Sequence, residues 1–268
     1  MLVKRLLVVN ILIPAFVLFI VLGGWLYTLL VLLALVWAAW EYWRIFRQGG
    51  YLPALAVLIA GVVLLVLGRA FWNFQYSDIL FSAFVLTTMT VHVFGYERGQ
   101  PQAAADFGIT LGGILYLGWL GSYFISLRNL PDGMWWTLLV LPSVWMADSG
   151  AFLIGRRFGK HLLSPRVSPG KTWEGYLGGI LFGAVGTVLL ASLWHLRAAE
   201  ITAVKGLVIG LTLAVLTPLG DLGESMIKRQ FGFKDSGSVL PGHGGIMDRI
   251  DSWLWAVVIG YYLVVGLG

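Results

Sequence analysis

Nine apolar segments of 16 to 21 residues follow one another along this 268-residue chain, and they leave few folds open. Each is about long enough to cross a bilayer core of roughly 30 Å as a helix. They fall at residues 6–22, 25–41, 52–68, 79–94, 108–127, 134–154, 175–194, 203–221 and 252–267. No water is available at that depth, so the backbone must satisfy its own donors and acceptors, which a helix does within one segment. The period-2 alternation of a membrane β-barrel is missing. A mean hydropathy of +0.85, with 12% charged residues, excludes an ordinary soluble domain. The expected class is an all-α polytopic integral membrane protein with about nine transmembrane helices.

Loop charges orient such a chain. With a cytoplasmic N-terminus, Lys4, Arg5, Arg44, Arg47, Arg98, Arg156, Arg157, Lys160, Arg166, Lys171, Lys228, Arg229, Lys234 and Arg249 lie inside. Only Arg69, Arg128, Arg197 and Lys205 fall outside, so fourteen of the eighteen basic residues obey the rule. The net charge of +5 is thus a topology signal and calls for no nucleic-acid partner. Lys4 and Arg5 ahead of Leu6–Leu22 superficially resemble a signal peptide, but no small-x-small cleavage site follows. A retained first helix is expected. Cysteine is absent and no two of the four histidines stand at zinc-ligand spacing, so disulfide and thiolate-metal chemistry are excluded.

Polarity is uneven. The first five segments carry few ionisable groups, whereas the loops at 155–174 and 222–251 are long and charged. An N-terminal helical region, 1–133, is therefore expected to support a C-terminal catalytic region, 134–268. The first loop sets Arg156, Arg157, Lys160, Arg166 and Lys171 among Ser164, Ser168 and Thr172. Guanidinium forks and ammonium groups beside hydroxyl donors suit a polyphosphate; the competing reading is a basic juxtamembrane loop touching anionic lipid. Gly170-Lys171-Thr172 is not a P-loop, because Pro165 stands where that motif needs glycine.

The carboxylates point the same way. Asp148 lies several residues inside its span, where a charge usually faces a polar cavity; pairing with Arg156 is the structural alternative. Asp221 and Glu224 are three apart, as are Asp248 and Asp251, so each pair can share a helix face. Carboxylates without thiols or paired histidines suit a hard cation such as Mg²⁺; ion pairing with Lys228, Arg229 and Arg249 is the alternative. Between the pairs, Gly242-His243-Gly244-Gly245 offers amides to phosphate oxygens and an imidazole that either shuttles a proton or merely shapes the turn.

The 27-residue island from Ser225 to Asp251 makes the pattern specific. Ser225-x-Ile227-Lys228-Arg229, Lys234-Asp235, Gly237, Leu240-Pro241, His243-Gly244-Gly245 and Asp248-Arg249-Ile250-Asp251 resemble the C-terminal signature of the phosphatidate cytidylyltransferase (CDP-diacylglycerol synthase) family. Asp148-Ser149 and Ser168-Pro169-Gly170-Lys171-Thr172-x-Glu174-Gly175 also resemble family segments, with Gly170 where another basic residue is usual. The recognisable motifs span about residues 145–252. The resemblance implies CTP + phosphatidate → CDP-diacylglycerol + pyrophosphate, a nucleotidyl transfer of phospholipid biosynthesis. It also implies a Mg²⁺ requirement with a monovalent cation such as K⁺ beside it, a homodimer, and a bacterial inner-membrane site open to cytoplasm and lipid.

Under that resemblance, Asp221 and Asp248 match the metal-centre aspartates, with Asp148, Glu224 and Asp251 as further ligand candidates. Lys228, Arg229 and His243 join Asp221 and Asp248 as catalytic candidates. Arg156, Arg157, Lys160, Ser168, Lys171, Thr172, Lys234, Gly244, Gly245 and Arg249 are the substrate-binding candidates. The chemistry is consistent: an ionised phosphate monoester needs no protein base, only relief of its repulsion from the nucleotide's α-phosphate. A transporter would instead show broken helices in two corresponding halves, and the D-x-x-x-D ending of CDP-alcohol phosphotransferases is absent. The topology predicts that a cysteine replacing Ser236 escapes an impermeant thiol reagent applied outside intact cells; labelling would overturn the orientation.

Overall fold

Runs of Leu, Val, Ala and aromatic residues become helices wherever the sequence places an apolar segment. The protein was analysed as a computed structural model, which describes residues 14–239 and 244–268. In chain order the helices are α1 (residues 14–22), α2 (Gly24–Gln48), α3 (Leu55–Trp72), α4 (Ser77–Glu97) and α5 (Ala103–Gly113). A π-helical turn over Ile114–Trp119 joins α5 to α6 (Leu120–Arg128). Then come α7 (Gly133–Phe158), α8 (Trp173–Trp194), α9 (Ala203–Leu216), α10 (Pro218–Gln230) and α11 (Met247–Leu267).

Eight described helical spans are long and apolar enough to cross a membrane, with α5–α6 and α9–α10 each counting as one. They correspond to the last eight expected segments. Of the first, 6–22, the described residues are 14–22, which are helical. The protein is an all-α integral membrane protein.

Two local features differ from the sequence reading. The loop expected to begin at 222 starts nine residues later, because α10 carries the chain on as helix to Gln230. Pro218 at its first position lacks only an N–H the helix does not use, Asp221 sits in the first turn, and Lys228 and Arg229 sit in the last. That polarity complements the helix dipole. In the other loop, β1 (Leu162–Ser164) and β2 (Ser168–Thr172) pair antiparallel as a short hairpin.

The chain forms two compact units. One comprises the described residues of Met1–Ser126 with Gln230–Ile250; the other is Leu127–Arg229 with Asp251–Gly268. These are not the two regions drawn from charge, since residues 230–250 pack with the N-terminal helices. Phe231 anchors them by edge contacts with Phe46 and Tyr51, over Gly49. In the same unit, the entry to α3 donates from the Leu52 and Ala54 amides to Asp106 and Thr110 of α5. Arg69 survives burial by lying over Phe74, 3.3 Å from its centroid, with Trp119 and Tyr123 around it and Ser122 on its Nε.

The second unit is built on α7, α8 and α9. Lipid tails are as apolar as leucine, so these helices associate through close backbone approach at small residues. A Cβ at Gly179 would lie 2.9 Å from the Ala147 carbonyl, and one at Gly210 would lie 2.9 Å from that of Gly183. Pro142 inside α7 has no N–H, which frees the Leu138 carbonyl one turn earlier. The Trp194 indole of α8 donates to that carbonyl at 3.3 Å. Trp194→Phe keeps an aromatic ring but removes the indole N–H, so it loses some packing as well as orphaning the carbonyl. It should destabilise the protein by about 1–3 kcal/mol, read as a lower thermal midpoint in detergent, and an unchanged midpoint would discount the bond.

Candidate functional site

Asp221 and Glu224 lie one turn apart on α10 and meet Asp251 of α11, so that one carboxylate oxygen of each falls within 4.8 Å of the others. The approach depends on Gly220, where a Cβ would stand 2.8 Å from the Asp251 carbonyl and 2.7 Å from Trp255. Glu224 is fully buried and Asp251 nearly so. Three carboxylates this close repel one another unless cations face them. Lys228, one turn along α10, is buried against Glu224. Lys171, at the end of β2, places its Nζ 2.5 Å from Asp221 Oδ2, and Ser225 donates to Asp221 Oδ1 at 3.2 Å. Asp148 on α7 lies within electrostatic reach of Asp251.

The hairpin that delivers Lys171 is itself pinned. Glu174 accepts the backbone amides of Lys160 and His161 and contacts the His161 ring at 2.5 Å. Thr172 caps α8 by accepting the Gly175 amide at 3.1 Å. This threonine, expected at the substrate, therefore has its oxygen engaged as a helix cap. Arg229 reaches the hairpin from α10, donating through Nε to the Val167 carbonyl at 3.3 Å. Arg156, Arg157 and Lys160 are exposed at the end of α7, Arg157 lying over Phe158, and Ser168 is half-buried in β2. Lys171, Lys228 and Arg229 thus stand with Asp221, Glu224 and Asp251 in the second unit.

Asp248 belongs to the first unit and has its own surroundings. Its Oδ2 accepts the amides of Ser236 at 2.9 Å and Gly245 at 2.7 Å, with the Ser236 hydroxyl at 3.0 Å. Gly244 adopts φ +81°, a left-handed turn that brings the Gly245 amide round to Asp248. Lys234 and Arg249 are exposed, and His243 lies outside the described residues. Ser236 is fully buried, so a cysteine there would escape labelling whatever the topology; exposed Ser238 is the informative position.

The sequence reading passed over Glu41. Fully buried on α2, it accepts from the Ser236 hydroxyl and from the Ile246 and Met247 amides. The available signal was the residue itself, a carboxylate set in the aromatic run Trp40-Glu41-Tyr42-Trp43, where an unpartnered charge would be costly.

The arrangement suits a hard cation. Among the described residues its donor set is carboxylate oxygens without imidazole or thiolate, which fits a hard cation of the Mg²⁺ kind better than a softer metal. Two lysine ammonium groups, of Lys171 and Lys228, lie against Asp221 and Glu224.

Comparison with known proteins places these residues in context. The profile of the cytidylyltransferase family matches residues 3–267. A phosphatidate cytidylyltransferase of Synechocystis sp. is 34% identical over 281 residues, covering 92% of this chain and 90% of that protein. One from Bacillus subtilis is 39% identical over 187 residues, 69% of this chain and 66% of the relative. One from Mycobacterium tuberculosis is 32% identical over 248 residues, 88% of this chain and 74% of the relative.

The Glu224–Lys228 pair has a testable energetic signature. Lys228→Met leaves the Glu224 carboxylate buried without its counter-charge and should cost about 3–5 kcal/mol, whereas Lys228→Met with Glu224→Gln should recover much of that loss. Unfolding midpoints of the single and double variants measure the difference. Equal midpoints would remove the pair from the account of stability.

Proposed function

The chain belongs to the cytidylyltransferase family, and on that premise we propose that it transfers the cytidylyl group of CTP to phosphatidate, giving CDP-diacylglycerol and pyrophosphate. The names of the relatives support the lipid substrate. The observation that carries the reading to this site is the convergence of Asp221, Glu224 and Asp251 with Lys171 and Lys228 beside them. In the proposed reaction an oxygen of the phosphatidate phosphate forms a bond to the α-phosphorus of CTP. The bond from that phosphorus to the bridging β-phosphate oxygen breaks, and pyrophosphate leaves with the electron pair.

The nucleophile is ionised at neutral pH, so the protein's task is to hold two anions together. Asp221, Glu224 and Asp251 would hold Mg²⁺, with Asp248 and Asp148 as further ligand candidates on the strength of the motif resemblance. Bound there, Mg²⁺ would neutralise phosphate oxygens and ease departure of pyrophosphate, with a monovalent cation such as K⁺ beside it. Lys171 is placed to exchange its carboxylate partner for a phosphate oxygen. Arg156, Arg157 and Lys160, exposed at the foot of α7, supply positive charge for the outer phosphates. Lys228 pairs with Glu224 and orients it. One substrate is lipid and the other aqueous. This suits the bacterial inner membrane with the N-terminus, 155–174 and 222–251 on the cytoplasmic side; the family resemblance adds a homodimer as the assembly.

Purified protein with Mg²⁺ should convert labelled CTP and phosphatidate to a labelled liponucleotide, with ATP and GTP poor substitutes. Absence of product from well-folded protein would sink the assignment. Asp221→Asn and Asp248→Asn should each lower turnover by about a hundredfold or more, with smaller losses for Glu224→Gln and Asp251→Asn. Wild-type Mg²⁺ dependence in both Asp221→Asn and Asp248→Asn would reduce these residues to interfacial ion pairs. Ser238→Cys should resist an impermeant thiol reagent outside intact cells and react once the membrane is opened.

A further inference from the structure

A buried carboxylate is stable only where donors or cations replace the water it has lost. Glu41, 0% exposed on α2, receives three hydrogen bonds from one loop: the Met247 amide at 2.8 Å, the Ser236 hydroxyl at 2.9 Å and the Ile246 amide at 3.1 Å. Two of these donors are backbone groups at the start of α11, where helical N–H groups have no partner within the helix. Glu41 therefore caps α11 from another helix, immediately before Asp248. One turn along α2, Arg44 donates to the Ser236 carbonyl at 3.4 Å, so Ser236 is held at its hydroxyl and at its carbonyl.

Ser236 is also the link to Asp248. Its amide and hydroxyl lie 2.9 and 3.0 Å from Asp248 Oδ2, and its hydroxyl lies 2.9 Å from Glu41 Oε2. One hydroxyl proton serves one oxygen at a time, and backbone amides help to hold each carboxylate beside it. The glycines of the loop fit the same cradle. A Cβ at Gly237 would fall 2.3 Å from Glu41 Oε1, and one at Gly245 would fall 2.4 Å from both Glu41 oxygens. Side chains at either position would displace the carboxylate.

We propose that Glu41 is a positioning residue for Asp248. By fixing Ser236 and the first amides of α11, it sets where the Asp248 carboxylate is presented. The proposal rests on the reading of Asp248 as part of the cytidylyl-transfer machinery, and it adds a residue from an N-terminal apolar span. Groups that orient a metal-binding carboxylate through hydrogen bonds typically change metal affinity or activity by about 10–100-fold when removed.

The test uses the full-length protein in two states. Without metal, hydrogen exchange of the segment 244–250 reads the cradle directly. Glu41→Gln, which replaces an accepting oxygen with a donor facing other donors, should accelerate exchange there by about tenfold and leave α7 and α8 unchanged. With metal and substrates, the same variant should need about 10–100-fold more Mg²⁺ for half-maximal rate, while the KM for phosphatidate holds. Gly237→Ala, which crowds Glu41 without altering any polar group, should reproduce both effects; Ser236→Ala should show a smaller version. If Glu41→Gln or, should that variant not fold, Gly237→Ala keeps the wild-type Mg²⁺ dependence, whatever its exchange, Glu41 merely supports the fold and the proposal is overturned; wild-type exchange overturns it equally, because the cradle would not depend on Glu41. A wild-type protein that makes no liponucleotide would instead overturn the assigned activity, and the exchange measurement would then still read whether Glu41 holds the loop.

Discussion

Desolvation of carboxylates is the constraint on which the polar part of this protein depends. A carboxylate removed from water among apolar helices loses its hydration, and only nearby cations or N–H groups offset that loss. The buried acids meet the requirement in different ways. Glu224 takes the Lys228 ammonium, Glu41 takes two amides and a hydroxyl, and Asp106 takes the Leu52 amide. Each solution ties the acid to one geometry, because moving it would forfeit its partners.

Glycine is what brings backbone and carboxylate into range. At Gly220 the missing side chain lets α10 lie against α11 at Asp251, and at Gly237 and Gly245 it lets a loop close around Glu41. The same device acts between α7, α8 and α9, where carbonyls stand where a Cβ would otherwise be. Association of helices in lipid gains little from the hydrophobic effect, so such contacts supply dispersion that bulkier faces would lose. The firm packing of α7 on α8 fixes both ends of the hairpin that carries Lys171, since β1 follows α7 and β2 runs into α8.

The proposed transfer draws on this arrangement. Two anions must approach, so positive charge has to be present yet free to exchange partners. Lys171 on Asp221 suits both needs: the pair is partly exposed, and an ammonium on a flexible stem can turn from a carboxylate to a phosphate oxygen. Lys228, buried with Glu224, is committed to its carboxylate. The same residue type therefore plays two parts according to burial.

By itself the sequence determined the class, and it singled out the charged segments as candidates for the chemistry. Apolar segments of bilayer length dictate helices because hydrocarbon offers the backbone no other partner. The spacing of Asp221 with Glu224 put two carboxylates one turn apart on α10, whereas Asp248 and Asp251, spaced alike, have different surroundings. Local signals reached less far. The reading ended the helix at 221 because hydropathy falls there, although capping and dipole terms carry α10 on to Gln230. Only tertiary structure decided that Lys171 meets Asp221 across about fifty residues, and that Glu41 meets Ser236 and Met247 across about two hundred. Such pairings depend on how helices pack, through contacts between residues remote in sequence. A carboxylate at the end of an apolar run looks like a boundary until the loop that hydrogen-bonds it is folded against it.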